Sequence, residues 1–511
     1  MTPPPNIAGE WKKRSVVSCF ILKLDDGQPR VALFRRSDKV TTYRHHLAPI
    51  SGSVDGADRS PLAAAWRELA EETTLTTDSL SLLRQGKEYT FQDPSVSREW
   101  TIFPFLFRLK TSADEQRIRT NWEHEGWAWH DPGSVIGGDG LGGLNGVPRL
   151  DESLRRVWFE TDLGPAAGAV LSRGLDALAH DHESGARQLA DAALQTLRGV
   201  IAEMNAGDRE PDGWWVTVRF VAWHLWKNGR ESMGAPIMSA LLAVLSGIER
   251  VLEKGQQTDQ LRGAALRELD AQVAARKESV DLISRAVSAY VEDTFRSRRG
   301  SHNPICILTL SESSTIRQAL RRVALESSFP LDLRILESRP LYEGVSLAGK
   351  LAEDLFAAAP PTTGTHSITL YTDASAALAA SDVDLVIIGG DRVAASGDVS
   401  NKTGSLPAVL SAKYVAPTAR VVLVAESGKT ALPGRSEDHV VEDNGPSEVC
   451  QAWQSQYNSS GVRNALRCAE SPDPSRTIKM EIRNIFFDRL QNTRQGSRPK
   501  RGAFSGACRR C

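Results

Sequence analysis

At 511 residues the chain exceeds what one ordinary core accommodates, and about 150 residues per domain implies two to four units. Its 41% hydrophobic and 24% charged content excludes disorder throughout, and a net charge of −1 gives the whole molecule no reason to seek nucleic acid or a membrane. Six cysteines (Cys19, Cys306, Cys450, Cys468, Cys508, Cys511) are too sparse for a disulfide framework and suit a reducing compartment. No run approaches the roughly 18 apolar residues of a membrane span, and Met1 to Glu10 is proline-rich without the apolar stretch of a secretory leader, so a cytoplasmic protein is expected. Cys508 and Cys511 form a C-x-x-C, but a tetrahedral zinc site needs four ligands and no second pair is nearby.

In chain order, residues 1–14 are expected to be disordered. Ser15 to Leu24 is β-branched and apolar, Asp25-Asp26-Gly27 signals a hairpin, and Arg30 to Arg36 returns as a strand. Ser60 caps a helix with Pro61 at its first position, and Leu62 to Thr73 is rich in Ala, Leu and Glu. Glu99 to Lys110 reads as a strand whose Pro104 predicts an edge or a bulge. The glycine-loaded stretch Asp131 to Gly146 marks a first boundary, and 151–164 reads as a linker. From Pro165 to Phe295 apolar residues recur at helical spacing, over Gln188 to Met204, Trp214 to Lys227, Ala235 to Lys254 and Leu261 to Phe295.

Beyond Asn303 strand-like runs (Ile305 to Leu310, Leu331 to Leu336, Ser367 to Tyr371, Leu385 to Ile388, Val421 to Val424) alternate with amphipathic stretches such as Ser314 to Glu326 and Val345 to Ala358. That alternation argues for a parallel sheet covered on both faces. The tail from Gln491 to Cys511 has no acidic residue and six Lys or Arg, and is expected to be a solvated, disordered terminus.

The densest chemical signal lies on the helix that Ser60 caps. Glu68, Glu71 and Glu72 stand at i, i+3 and i+4, which places three carboxylates on one face. Like charges so spaced repel and call for a cation; hard oxygen ligands select Mg2+ or Mn2+, bridging protein carboxylates and substrate phosphates. Arg67, four residues before Glu71, is placed to hold one carboxylate. Taken alone, such a face would be a solvated acidic surface. With Gly52-Ser53-Val54-Asp55-Gly56-Ala57-Asp58 in front and Arg67-Glu68-Leu69-x-Glu71-Glu72-x-x-Leu75 behind, however, the string resembles the Nudix box, over roughly Ser15 to Pro132.

The resemblance implies metal-dependent attack by water on a diphosphate linked to another group, with Glu68, Glu71 and Glu72 as metal ligands and catalytic residues. Gly52, Asp58 and Arg67 would support the box. Which carboxylate is the base stays open. Asp58 stands where the family has glutamate, the glycine-to-arginine spacing is one residue longer, and Thr74 stands where the family has glycine. A β-branched residue at positive φ costs on the order of 1 kcal/mol or more, which leaves open a different end to the helix.

Three later strings are similar to the methylthioribose-1-phosphate isomerase and initiation-factor-2B alpha/beta/delta family. They are Ile307 to Thr315, Leu336 to Pro340 with Gly344, and Val386 to Val393 running on to Gly404. Gly229-Arg230-Glu231-Ser232-Met233-Gly234, Val424 to Ser427 and Glu481 to Phe487 resemble it too, over roughly Pro165 to Asp488. The resemblance implies a crevice at the strand ends, lined by Arg230, Ser311, Ser313, Ser314, Arg339, Asp391, Asn401 and Lys402, for a sugar phosphate or nucleotide, and a homodimer built by this domain. Isomerases of the family use a cysteine and an aspartate; Asp391 matches the aspartate, but Ser311 takes the cysteine's place, and a serine hydroxyl is too weak an acid for that proton transfer.

The expected architecture is therefore multi-domain α/β: an N-terminal Nudix α/β/α sandwich with a mixed sheet (15–150), a central helical subdomain (165–300), a C-terminal Rossmann-like parallel sheet (301–488), and a basic tail (489–511). The leading function is divalent-metal-dependent hydrolysis of a small-molecule nucleoside diphosphate linked to another moiety, with a C-terminal domain that binds a sugar phosphate or nucleotide and dimerises. A non-enzymatic, translation-factor-like regulatory or scaffold protein and a sugar-phosphate isomerase are the alternatives.

Overall fold

The computed structural model describes residues 11–137, 144–181, 184–204, 210–230, 234–253, 258–298, 303–327, 329–356, 366–394, 396–430 and 484–486. The expectations for the basic tail, for the C-x-x-C and for most of residues 431–488 lie outside them. Two compact units result, one formed mainly by Met1–Ala275 and the other mainly by Arg276–Gly434.

The first unit opens on β1 (Lys12–Asp25) and β2 (Gln28–Arg36), joined at Asp26 and Gly27, both at positive φ as a tight hairpin turn requires. The strand begins at Lys12, so residues 12–14, expected to be disordered, are ordered. Then come β3 (Leu47–Ala48), α1 (Pro61–Thr73), β4 (Leu80–Gln85), β5 (Tyr89–Asp93), β6 (Arg98–Leu109) and β7 (His124–His130). They form one seven-stranded sheet in the order β3-β2-β1-β6-β4, with β5 beside β6 and β7 beside β2. It is mixed: β1 and β6 run parallel, while the other pairings are antiparallel.

Alternate residues of a strand face opposite sides. Val17, Cys19 and Ile21 pack with Ala64, Ala65 and Leu69 of α1, whereas Phe20 and Leu22 pack with Val135 and Ile136 of α2 (Pro132–Gly137) and Leu150 and Leu154 of α3 (Leu150–Arg155). Residues 151–164 are thus not a free linker: they carry α3 and α4 (Glu160–Leu163), and α3 covers one face of the sheet. Pro104 is not at an edge either. β6 lies between β1 and the β4–β5 pair, and Pro104 falls where β4 gives way to β5; its carbonyl accepts from Gly86 N at 2.8 Å, and a residue that cannot donate sits where the ladder is already interrupted.

A helical bundle completes this unit: α5 (Pro165–His180), α6 (Ala186–Glu203), α7 (Pro211–Asn228), α8 (Gly234–Leu252) and the first part of α9 (Thr258–Thr294), around Leu171, Leu189, Leu197, Trp214 and Val244. Sheet and bundle are joined by polar groups. Arg84 of β4 grips both carboxylate oxygens of Glu160 at 2.8 and 2.6 Å and donates to Ser172 Oγ at 2.6 Å, while Asn228 exchanges hydrogen bonds with the Gln85 backbone at 2.6 and 2.9 Å. A two-pronged arginine–carboxylate bond of this kind fixes orientation as well as energy.

The second unit alternates as read: β8 (Ile305–Leu310), α10 (Ser314–Glu326), β9 (Leu331–Leu336), α11 (Glu343–Phe356), β10 (Ser367–Tyr371), α12 (Ala376–Ala379), β11 (Leu385–Gly389), the short ribbon β12 (Arg392–Val393) and β13 (Val399–Ser400), α13 (Ser405–Val415), β14 (Arg420–Val424) and β15 (Asn484–Phe486). The six-stranded sheet is parallel, in the order β10-β9-β8-β11-β14-β15. Ile305 and Ile307 face α10, α11 and the end of α9; Leu308 and Leu310 face α12 and α13. Strand order reverses between β8 and β11, which is where such sheets open a crevice at their carboxyl ends.

Candidate active site

Helix α1 starts as its sequence dictates: the Ser60 side chain accepts from Ala63 N and Pro61 needs no donor partner. It ends at Thr74, which takes the left-handed conformation (φ 62°) despite its branched side chain. The turn made by the family's glycine is therefore kept. Thr74 N donates to Ala70 O at 3.1 Å and its hydroxyl to Arg117 O at 2.9 Å, bonds that offset a strain of about 1–2 kcal/mol.

Arg67 organises the loop before the helix. Its guanidinium reaches both Asp58 carboxylate oxygens at 3.2 and 3.0 Å, Ser53 O at 2.9 Å, Glu68 at 2.7 Å and Glu71 at 3.3 Å. Asp58 also accepts from Asp55 N at 2.9 Å, and the arginine holds its carboxyl below the usual range. Gly52 packs directly on Glu68: a Cβ there would lie 1.9 Å from the carboxylate carbon, so any larger residue would displace the Glu68 carboxylate from its present position.

The three glutamates part company. Glu68 and Glu72 point inward and are buried, above the buried Cys19 of β1, while Glu71 is turned out to Arg67 with a side chain 57% exposed. Glu72 Oε2 meets His124 Nε2 at 2.5 Å, but Glu72 Oε1 is sealed from solvent with no hydrogen-bond donor. Burial, then the carboxylates of Glu123 and Glu68, push Glu72 up to about 9; burial also raises Glu68, against the pull of Arg67. His124 is pushed down to about 4, first by burial and then by Arg36, so burial works against charge on either partner. A buried carboxylate oxygen without a donor, beside a second carboxylate, is a place that a cation completes. The donor chemistry fits Mg2+ or Mn2+. Among the described residues, however, no three acidic, imidazole or thiolate groups converge as a metal site, and Arg67 engages both Glu68 and Glu71.

A cavity of about 320 Å³ is lined by Ser51, Gly52 and Ser53 of the loop before α1 and by residues of β1, β5, β6, the 41–43 loop and 147–153. Sequence reading did not find it, nor did it find His124.

In the second unit β8 ends at Ser311, itself left-handed (φ 61°) and buried. Its hydroxyl donates to Glu343 Oε2 at 2.9 Å, its N–H donates to Ser338 Oγ at 2.8 Å, and Lys402 Nζ meets Glu343 Oε1 at 3.1 Å. The backbone N–H groups of Ser338 and Arg339 both donate to Asp373, at 3.0 and 2.8 Å. Ser313 caps α10, whose first residue is Ser314, and Asn401 donates to Ser405 Oγ at 2.8 Å. Asp391 and Lys402 both act on the half-buried Lys429, whose pKa desolvation lowers. Arg339 is exposed and lies over the Tyr342 ring at 5.3 Å. Arg230, expected in this crevice, belongs to the first unit, where it donates to the Asp181 carbonyl. No local pattern marks Glu343 or Asp373 as partners.

The Initiation factor 2 subunit family model matches residues 182–490, more than half of the chain, and the chain belongs to that family. A NUDIX domain occupies residues 12–144. The chain is 32% identical over 177 residues to a probable bifunctional methylthioribose-1-phosphate isomerase/methylthioribulose-1-phosphate dehydratase of Nocardia farcinica, covering 33% of this chain and 30% of that protein. Against the methylthioribose-1-phosphate isomerase of Chloroflexus aurantiacus the identity is 31% over 153 residues, 28% of this chain and 39% of that one. The chain thus spans well under half the length of these curated relatives. Among solved structures it is similar to a C. elegans Ap4A hydrolase at 20% identity and a TM-score of 0.24, over 29% of this chain and 97% of that one. No helix among the described residues is long and apolar enough to cross a membrane.

Proposed function

We propose that the first unit is a divalent-metal-dependent pyrophosphohydrolase that cleaves a diphosphate linked to another moiety, acting in the cytoplasm. The NUDIX domain supports a hydrolase, and the observation that carries the reading is the sealed, donor-free Oε1 of Glu72 beside Glu68, whose carboxylate packs on Gly52 of the preceding loop. Glu68, Glu71 and Glu72 are the residues that would hold Mg2+ or Mn2+. When bound, the ion lowers the pKa of a water and neutralises charge on phosphate oxygens. The chain's own part is positioning: Arg67 pins the glycine loop through Asp58 and Ser53 O, and His124 fixes the rotamer of Glu72. In the reaction the water oxygen bonds to one phosphorus, the bridging P–O bond breaks, and two phosphate-bearing products leave.

For the second unit the proposal is a sugar-phosphate or nucleotide crevice that also builds a homodimer. The isomerase names of the relatives favour a sugar phosphate. With Ser311 bonded to Glu343 and no thiol in its place, binding without isomerisation is the form of that reading we adopt. The test of the main proposal is a screen of nucleotide sugars, dinucleotides, NADH and coenzyme A esters with the full chain and Mg2+, reading phosphate-bearing products. Metal-dependent cleavage of at least one is expected; cleavage of none overturns it.

A further inference from the structure

The helices on the two sides of the parallel sheet differ in what they turn outward. On one side α10 presents Gln318, Arg321 and Glu326 to solvent, as a helix with a single buried face should. On the other side α12 and α13 leave large apolar side chains in the open: Leu378 is 65% exposed, Leu410 52%, Tyr414 86% and Val415 38%. Leu410 and Tyr414 stand one helical turn apart and so share a side of α13. Its opposite side is already used, for Ala408, Val409 and Ala412 pack against the sheet. Apart from Lys413, α13 carries no charge on either side.

The two helices meet through small residues: Ala376 and Ala379 of α12 lie in one buried cluster with the inward side of α13. Leu378 and Leu410 therefore belong to one outer layer. A helix that is apolar all round is one that something covers, and an exposed apolar surface rimmed by polar groups marks a contact site. The rim here carries one charge of each sign. Lys413 adjoins Tyr414, and Asp382 lies between α12 and β11. Neither forms an ion pair among the described residues.

Resting on the homodimer reading of the second unit above, we propose that the α12–α13 face is the dimer contact and is covered by the same face of a second copy. A two-fold contact sets a patch against itself, so the patch must not repel its own copy. An uncharged apolar centre meets that condition, and with one cation and one anion at the rim, Lys413 of each copy is matched by Asp382 of the other. Tyr414, large and amphipathic, is the kind of side chain that anchors such a centre. The chain's own basic tail, Gln491 to Cys511, is a poorer occupant: it has six Lys or Arg and no acidic residue, and neither α12 nor α13 carries an acidic residue to receive it.

Sedimentation velocity on the full chain over a range of protein concentrations tests the assignment. The wild type should be a dimer at micromolar concentration. Leu410→Asp with Tyr414→Asp should raise the dimer dissociation constant about a hundredfold or more, since the two changes put charge into the centre of the contact from both copies. Lys413→Glu should raise it about fivefold or more, and adding Asp382→Asn should recover part of that loss, because an anion then no longer faces an anion. Asparagine also suits the left-handed backbone of Asp382 (φ 54°). Recovery by a second change is something a merely destabilised variant does not show. A wild-type dimer whose affinity the two aspartates leave unchanged overturns the α12–α13 contact and leaves the homodimer reading standing. A wild-type monomer at micromolar concentration overturns both. If the two aspartates also lower the melting temperature of such a monomer, another segment of the same chain covers the face.

Discussion

At the glutamate helix Glu68 is held by Arg67, but the buried Glu72 Oε1 beside it faces no donor, so one carboxyl oxygen is left without a partner. At the carboxyl ends of β8 and β9 the chain has supplied the counter-charge itself: Glu343 takes both Ser311 and Lys402, and Asp373 takes the backbone N–H groups of Ser338 and Arg339. Both regions carry strings similar to known sites, yet one leaves a buried carboxyl oxygen without a partner and the other is closed by internal anions. A ligand at the first relieves burial of like charge. A phosphate at the second must first displace a carboxylate, which offsets much of what Lys402 would contribute.

The largest expected effect breaks the open side. Glu72→Gln should lower metal-dependent hydrolysis by orders of magnitude without lowering the melting temperature, since it removes a buried carboxyl from a crowded face. Turnover at the wild-type rate in this variant would remove Glu72 from the site.

A smaller effect tests the closed side. Glu343→Gln leaves the size of the side chain but releases Lys402, so the affinity for methylthioribose 1-phosphate or ribose 5-phosphate should rise by about 1–2 kcal/mol, roughly tenfold, in calorimetry. If Glu343→Gln binds neither compound more tightly than wild type, the carboxylate is not what closes the crevice.

How much of this was readable in advance follows from how far apart the interacting residues are. The cap at Ser60, the hairpin at Asp26-Gly27 and the strand–helix alternation after Asn303 are local patterns, and they stand in the structure. Pro104 misled because a proline marks only a missing donor, and the interruption that accommodates it is made by β4 and β5, whose handover no local string encodes. The 151–164 stretch has too few residues for helical periodicity to register, so α3 shows only by packing on Phe20 and Leu22. His124 lies 52 residues from Glu72, and Glu343 lies 32 from Ser311. Charge complementarity at such separations is a property of the fold. Sequence could therefore name the carboxylates of α1 but not tell which two turn inward.

The most direct test of the contrast is Mn2+ binding to the full chain, followed by electron paramagnetic resonance without any substrate. The account predicts saturable binding by the wild type, weakened about tenfold or more in Glu72→Gln and unchanged in Glu343→Gln. Equal Mn2+ affinity in wild type and Glu72→Gln would contradict it.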